Sequence, residues 1–241
     1  TVNDLNLHLH IDKAVPVAGG MAGGSADAAA ALLAVDQYLY EKRLTERTLG
    51  LEELLALAAP LGADVPFVVR AAFPLGGLAV GEGTGTELSI VELPEDMIPL
   101  DIVLVAASEG LSTPQVFGEL DAGRAAGHYP EGDTLIVPSG LLHALTQNEA
   151  PIARLHEVGR QLRNDLQAPA VTLAPELETI LTMDNESIVE AFVSGSGPTV
   201  AILVEDAPAA DELAAALRRR GRFAIATQTP AEIARELPYS T

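Results

Sequence analysis

Four glycines fall within six residues of the stretch Pro16-Val17-Ala18-Gly19-Gly20-Met21-Ala22-Gly23-Gly24-Ser25-Ala26-Asp27, which then runs into alanine-rich sequence. Glycine lets backbone N–H groups approach a ligand because no Cβ intervenes, and a helix N-terminus adds unpaired N–H groups and the positive end of its dipole. Gly19, Gly20, Gly23, Gly24 and Ser25 therefore read as an anion cradle, most often one for phosphate. No Lys-Ser or Lys-Thr closes the loop, so it is not a Walker A loop, and the dinucleotide spacing G-x-G-x-x-G is absent. The competing reading is that small residues let the following helix pack closely on a sheet, although four glycines make that conformationally costly. Ser25 can cap the helix, or its hydroxyl can touch phosphate or a metal such as Mg²⁺. Asp27 is read as structural, because the dipole stabilises a carboxylate in the first turn whatever its function.

Asp64 stands in Leu61-Gly62-Ala63-Asp64-Val65-Pro66-Phe67, an acid embedded in apolar sequence. A carboxylate in such a setting must find partners or shift its pKa, which is where general bases are found; a turn or capping aspartate after Gly62 is the equal alternative. His8 and His10 form an H-x-H pair on one face of an alternating stretch. Such a pair can hold a metal, but no third ligand stands at a suitable spacing, and an exposed or covered face explains it as well.

The surrounding chemistry narrows these options. The chain has 241 residues, 34 acidic against 14 basic, and a formal net charge of -20. That field repels a polyanion, so a nucleic-acid partner is not expected, and a phosphate site here must rely on local dipoles, a metal ion or a few placed cations. Cysteine is absent, which excludes disulfides and Cys-ligated metal and suits a cytoplasmic protein. No apolar run is long enough to suggest a membrane span. The length fits one large domain or two small ones.

The elements that must position these residues can be read from periodicity. Leu5, Leu7, Leu9 and Ile11 alternate with polar residues, as in a half-buried strand leading into the glycine loop. Helices are expected from Ser25 to about Tyr40 and from Leu51 to Ala59, with Val65, Phe67, Val68 and Val69 as a short buried strand. The glycine-rich stretch from Gly76 to Thr86 has no assigned element, and Pro94 to Pro99 is the expected domain boundary. Ile102–Ala106 reads as a buried strand, and Thr113–Leu120 as a helix with Thr113 as N-cap and Pro114 at its first position. A loop from Ala125 to Ser139 precedes helices at Gly140–Thr146, Ile152–Arg163 and Pro175–Met183. Ile188–Val193 and Thr199–Val204 read as strands on either side of Ser194-Gly195-Ser196-Gly197-Pro198. A helix over Pro208–Arg219 and a strand over Phe223–Thr227 follow. Mixed helices and strands of this kind define an α+β or α/β protein.

Taken together, these stretches resemble the GHMP kinase superfamily. IDKAVPVAGGMAGGSADAAAALLAVD resembles its ATP loop, LGADVPF the segment bearing its catalytic aspartate, and GEGTGTEL its G-x-G-x-G-E stretch. LSTPQVF resembles a helix start that contacts a cytidine group, NDLQ an Asn-Asp pair, and VSGSGPTVAIL the third superfamily motif. The resemblance implies an α+β fold of two domains. Residues 1–95 would form an ATP-binding domain like domain 2 of ribosomal protein S5, and residues 96–241 a ferredoxin-like C-terminal domain.

It also implies ATP-dependent phosphorylation of the 2-hydroxyl of 4-diphosphocytidyl-2-C-methyl-D-erythritol, a step of non-mevalonate isoprenoid synthesis, with Mg²⁺ offsetting phosphate charge. Lys13, Pro16, Gly19, Gly20, Gly23, Gly24 and Ser25 would bind the nucleotide, and Asp64 would deprotonate the attacking hydroxyl. Phe117 would flank the cytosine with Thr113 nearby, and Gly195, Ser196 and Gly197 would close the site. The implied enzyme is cytoplasmic and works as a monomer or homodimer. Another GHMP kinase, of homoserine or mevalonate type, and an inactive nucleotide-binding fragment are the alternatives; Phe117 in LSTPQVF favours the cytidine substrate.

Family members begin with a strand carrying A-K-I-N-L, whose lysine is catalytic, and then a G-Y-H segment that holds cytosine. Neither motif is found here, so the first domain is expected to lack its N-terminal strands. Met21-Ala22 in place of Leu-Gly, and Ala26 in place of a second serine, are smaller departures.

Overall fold

The computed structural model describes residues 6–17, 19–73, 77–94, 97–131, 137–146 and 151–229, with residues 151 and 152 described by backbone only. Two compact units divide the described chain. Among the described residues, the first takes 6–15 and 22–92, and the second takes 16–17, 19–21 and those from 93 to 229.

The first unit is built on α1 (Gly23–Glu41), α2 (Leu51–Ala58) and α3 (Val65–Ala71), with a 3-10 turn at Ala59–Leu61 and a hairpin of β1 (Ala79–Glu82) and β2 (Glu87–Ile90). Ala29 and Leu33 of α1, Leu54 and Ala58 of α2, and Val65 and Val69 of α3 are spaced four apart, so each pair lies on one helix face, and the three faces form a single core. Asp36 of α1 is buried, and both its carboxylate oxygens accept from the Leu49 N–H at 3.1 Å, which fastens the connection into α2. Glu53 accepts from the Gly50 N–H at 2.8 Å and from both terminal nitrogens of Arg47, closing the start of α2.

Two expectations are corrected in this unit. The run from Val65 to Val69 is helical, not a strand. Pro66 falls in the first turn, where a missing N–H costs nothing, and burial of Val65 and Val69 against α1 and α2 outweighs the β preference of valine. The alternating stretch that includes residues 6–11 forms no strand among the described residues. Leu7, Leu9 and Ile11 are exposed there; alternation assigns faces, but a strand exists only where a neighbour takes up its backbone hydrogen bonds.

The second unit carries β3 (Leu100–Ala106), β4 (Ile188–Val193), β5 (Thr199–Val204) and β6 (Ala224–Thr229) in one antiparallel sheet of order β4-β5-β3-β6. Between β3 and β4 come α4 (Thr113–Ala125), α5 (Ser139–Thr146), α6 (Pro151–Gln161), α7 (Gln167–Leu173) and α8 (Glu176–Leu181), and α9 (Ala207–Arg219) joins β5 to β6. This is the strand order of a ferredoxin-like split β-α-β arrangement with extra helices. The central strand β5 is buried along its whole length. On one face Val103, Val105, Val200 and Ile202 pack with residues of α4, α7, α8 and α9, and on the other Leu100 and Leu203 pack with Ala144 of α5 and Leu155 and Val158 of α6. Here β4 and β5 have the bounds read from the sequence, whereas α7 was not expected. The N-cap of α4 is Ser112 and not Thr113, and its side chain makes no capping bond. Part of the expected loop between Ala125 and Ser139 lies outside the described residues.

Candidate active site

In the first unit, the chemistry gathers at the N-terminal end of α1. The helix begins at Gly23, no side chain caps it, and the first backbone bond at this end runs from the Ala26 N–H to the Ala22 carbonyl at 2.9 Å. The amides of Gly23, Gly24 and Ser25 have no protein partner among the described residues. Among the described residues a Cβ on Gly24 would meet nothing within 4 Å, so there is room for a ligand beside Gly24. On Gly23 the same atom would stand 3.2 Å from the Lys13 ammonium and 3.2 Å from Val15. Lys13 donates to the Gly23 carbonyl at 2.9 Å and to the carboxylate of Asp27.

The segment that carries Asp64 lies beside this turn. A Cβ on Gly62 would come 3.9 Å from the Ser25 hydroxyl. Asp64 occupies the N-cap position of α3 but makes no capping bond, and it is exposed. Its apolar neighbours in sequence therefore do not bury it, because the helix turns Val65 and Pro66 inward and leaves the carboxylate outside. The turn between β1 and β2 closes on the same segment. Gly85 has φ of 86°, and a Cβ there would meet the Ala63 carbonyl at 3.0 Å, which is why a glycine is required.

In the second unit, Gly19 and Gly20 lie against the start of β5 and the loop between β4 and β5. The Ser194 hydroxyl donates to the Gly20 carbonyl at 2.9 Å. Gly20 has φ of 70°, and a Cβ on it would fall 2.5 Å from the Gly197 carbonyl oxygen and 2.6 Å from that of Ser194. Only glycine allows this approach. Gly19 is buried, with the hydroxyl of Thr199 3.4 Å from where its Cβ would be; among the described residues that buried hydroxyl has no hydrogen-bond partner. Asn164 stiffens the loop from beneath, donating to the carbonyls of Val193 at 2.7 Å and Gly195 at 2.8 Å and accepting from the Leu166 N–H.

Thr113 and Ser196 share a hydrogen bond of 2.8 Å, so the start of α4 and the loop after β4 are joined. Phe117 follows one turn along α4 and is 48% exposed, an apolar ring facing solvent. His8 and His10 lie on the exposed stretch, where His10 Nε2 stands 3.2 Å from Asp12; among the described residues no group of three or more His, Cys, Asp or Glu could hold a metal. Sequence reading missed Ser194 as a loop anchor, although a serine abutting two closely spaced glycines is the signal that marks it.

Comparison with known proteins gives this arrangement its relatives. The GHMP kinases N terminal domain matches residues 2–72, and the GHMP kinases C terminal domain matches residues 142–222. The chain is 42% identical to 4-diphosphocytidyl-2-C-methyl-D-erythritol kinase of Corynebacterium jeikeium, over 96% of this chain and 62% of that protein. It is 44% identical to the kinase of the same name from Paenarthrobacter aurescens, over 95% of this chain and 67% of that one. The chain thus spans about two thirds of the length of the curated relatives it matches. A crystal structure of 4-(cytidine 5'-diphospho)-2C-methyl-D-erythritol kinase superposes with a TM-score of 0.64 at 31% identity, covering 90% of this chain and 68% of that one. A homoserine kinase from Cytophaga hutchinsonii superposes with a TM-score of 0.62 at 16% identity, covering 91% of this chain and 68% of that one, a likeness of fold alone. The chain belongs to the GHMP kinase family.

Proposed function

We propose that this chain carries the ATP-dependent phosphorylation of the 2-hydroxyl of 4-diphosphocytidyl-2-C-methyl-D-erythritol, in the synthesis of isoprenoid precursors by the non-mevalonate route. The observation that carries the reading is the 44% identity, over 95% of the chain, to a kinase named for that substrate. In this reading Gly19, Gly20, Gly23, Gly24 and Ser25 hold the nucleotide phosphates through backbone amides, with Lys13 and Pro16 beside them. The open first turn of α1 supports this, because unpaired amides and the positive pole of a helix are what a phosphate group takes.

Asp64 is proposed to accept the proton of the attacking hydroxyl. Its exposed carboxylate, uncommitted to capping α3, is free for that role. Phosphoryl transfer of this kind is mostly positioning and charge stabilisation, to which the carboxylate and the amide array would contribute the proton acceptor and part of the phosphate binding. Thr113 and Phe117 are proposed to receive the cytidine group, the ring of Phe117 flanking the base, with Gly195, Ser196 and Gly197 lining the loop beside the phosphates.

The donor set fits magnesium only in company with the nucleotide. With no cluster of acidic side chains among the described residues to cage it, the ion would be held largely by phosphate oxygens and water, with the Ser25 hydroxyl as the protein's share. Bound there, Mg²⁺ offsets phosphate charge. We place the enzyme in the cytoplasm as a monomer or homodimer acting on small molecules; no helix among the described residues is long and apolar enough to cross a membrane.

The test supplies ATP and Mg²⁺ with each of three alcohols: the cytidine-linked substrate, homoserine and mevalonate. Phosphate transfer to the first supports the proposal. Transfer to homoserine or mevalonate alone overturns the substrate, and ATP binding without transfer to any of them confines the chain to nucleotide binding.

A further inference from the structure

This inference rests on the nucleotide reading above. Its starting point is a charge in an unfavourable place. Lys13 lies over the first turn of α1, where the helix dipole presents its positive pole and repels a cation. The lysine stands on a stretch without regular structure, and its long side chain loses rotamer freedom by being held there. Something must offset both costs, and the carboxylate of Asp27, one helical turn along α1, is the group that touches the ammonium.

The geometry of that contact leaves a donor over. An ammonium has three N–H groups. One goes to the Gly23 carbonyl at 2.9 Å and one to Asp27, and among the described residues the third has no protein partner. Among the described residues the amides of Gly23, Gly24 and Ser25 in the same turn are likewise without a protein partner. A Cβ on Gly23 would fall 3.2 Å from the ammonium, so any larger side chain there would push the cation away. In a chain of net charge -20, a fixed cation beside three amides that have no partner among the described residues is the local feature that makes an anion welcome.

We propose that Asp27 is a positioning residue: it holds the Lys13 ammonium over the first turn of α1, where the remaining N–H donor is available to a nucleotide phosphate oxygen. Asp27 then acts through Lys13 and has no contact of its own with the nucleotide. Two other roles give different results. If Asp27 only balances the helix dipole, it acts independently of Lys13; if its charge is felt by the phosphates directly, removing it tightens binding.

A double-mutant cycle separates these. The affinity for ATP with Mg²⁺ is measured for the unsubstituted chain, Lys13→Met, Asp27→Asn and the double variant, with the melting temperature of each as a check on folding. Losing one charge-assisted hydrogen bond is expected to weaken Lys13→Met about ten-fold, and losing its support to weaken Asp27→Asn about five-fold. The double variant is expected to bind as Lys13→Met does, because Asp27 has nothing left to position. Losses that multiply in the double variant, or tighter binding by Asp27→Asn, overturn the inference while leaving nucleotide binding intact. An unsubstituted chain that binds no ATP overturns the functional proposal itself, and this inference with it. Should Asp27→Asn melt below the assay temperature, Asp27→Ala completes the same cycle.

Discussion

The hydroxyl of Ser194 donates to the carbonyl oxygen of Gly20 at 2.9 Å, a bond between residues 174 apart in sequence. It fixes a glycine loop that has few side chains of its own with which to hold a shape. Ser194→Ala removes the donor and leaves a part-buried carbonyl short of a partner, at a cost of about 1 kcal/mol. The expected outcome is ATP affinity lowered about five-fold with little change in melting temperature. Unaltered affinity in a nucleotide titration would show that the loop keeps its form without this bond.

The glycines of the loop divide into two kinds, which substitution to alanine separates. At Gly20 the left-handed φ of 70° and the Gly197 oxygen 2.5 Å from a new Cβ leave no room, so Gly20→Ala is expected to lower stability by about 2 kcal/mol or more. At Gly24 a Cβ meets nothing within 4 Å, and alanine favours the helix. Gly24→Ala should therefore melt at or above the temperature of the parent yet bind ATP more weakly, because the methyl occupies the approach to the amides. Equal ATP affinity in Gly24→Ala would mean that phosphate does not approach this turn.

Asp64→Asn keeps the size of the side chain and removes its basicity. Turnover should fall by roughly two to four orders of magnitude, while ATP affinity stays within about two-fold of the parent. A variant with near-normal kcat would take Asp64 out of the reaction.

Phe117 presents an exposed ring one turn after Thr113, so its truncation tests recognition of the cytosine without disturbing a core. Phe117→Ala should raise KM for the cytidine-linked substrate about five-fold and leave KM for ATP unchanged, as expected for the loss of one stacking contact. A rise in KM for ATP instead would place the ring against the other substrate.

Acid should act on the start of α2. Hydrogen bonds from Arg47, and then from the Gly50 N–H, hold the carboxyl of Glu53 down to about 2 from an ordinary 4.5. A carboxyl whose pKa is lower in the folded state stabilises that state above the unfolded value and loses this contribution as pH falls toward the folded one. The pair is exposed, so the effect is small. Glu53→Gln should melt slightly below the parent at pH 6, and the gap should close between about pH 4.5 and pH 2; a gap that does not change with pH would show that Arg47 and Glu53 are not coupled in solution.

Elements with one dominant pattern were legible in the sequence. The alanine-rich α1, free of Gly and Pro after Gly24, and the largely apolar β4 and β5, rich in β-branched residues, left little choice. Val65 to Val69 was ambiguous, because a short apolar run suits either a strand or a helix, and packing against α1 and α2 decided it. The hairpin of β1 and β2 was hidden by its glycines, and α7 by its brevity and by Pro169. Among the candidate residues, the glycine loop, Asp64 and the Thr113–Phe117 helix start were visible as residue types at known spacings. Ser194 and the clamp of Asp27 on Lys13 were not, because a hydroxyl or carboxylate reveals its partner only when the chain is folded, and Asp27 had a sufficient local explanation in the helix dipole.

The six residues Pro16–Met21 belong to the second compact unit, although the chain on either side of them belongs to the first. The polypeptide therefore visits the second unit twice, and a cut near Glu92 yields a fragment with a piece missing. Residues from Leu93 onward, produced alone, would leave the Ser194 hydroxyl without the Gly20 carbonyl and the side of Thr199 uncovered. Anyone dissecting this chain into halves should graft residues 16–21 onto the C-terminal portion through a linker, or supply them as a peptide in trans, and should expect the unrepaired fragment to be less stable and more readily cleaved by protease at the loop between β4 and β5.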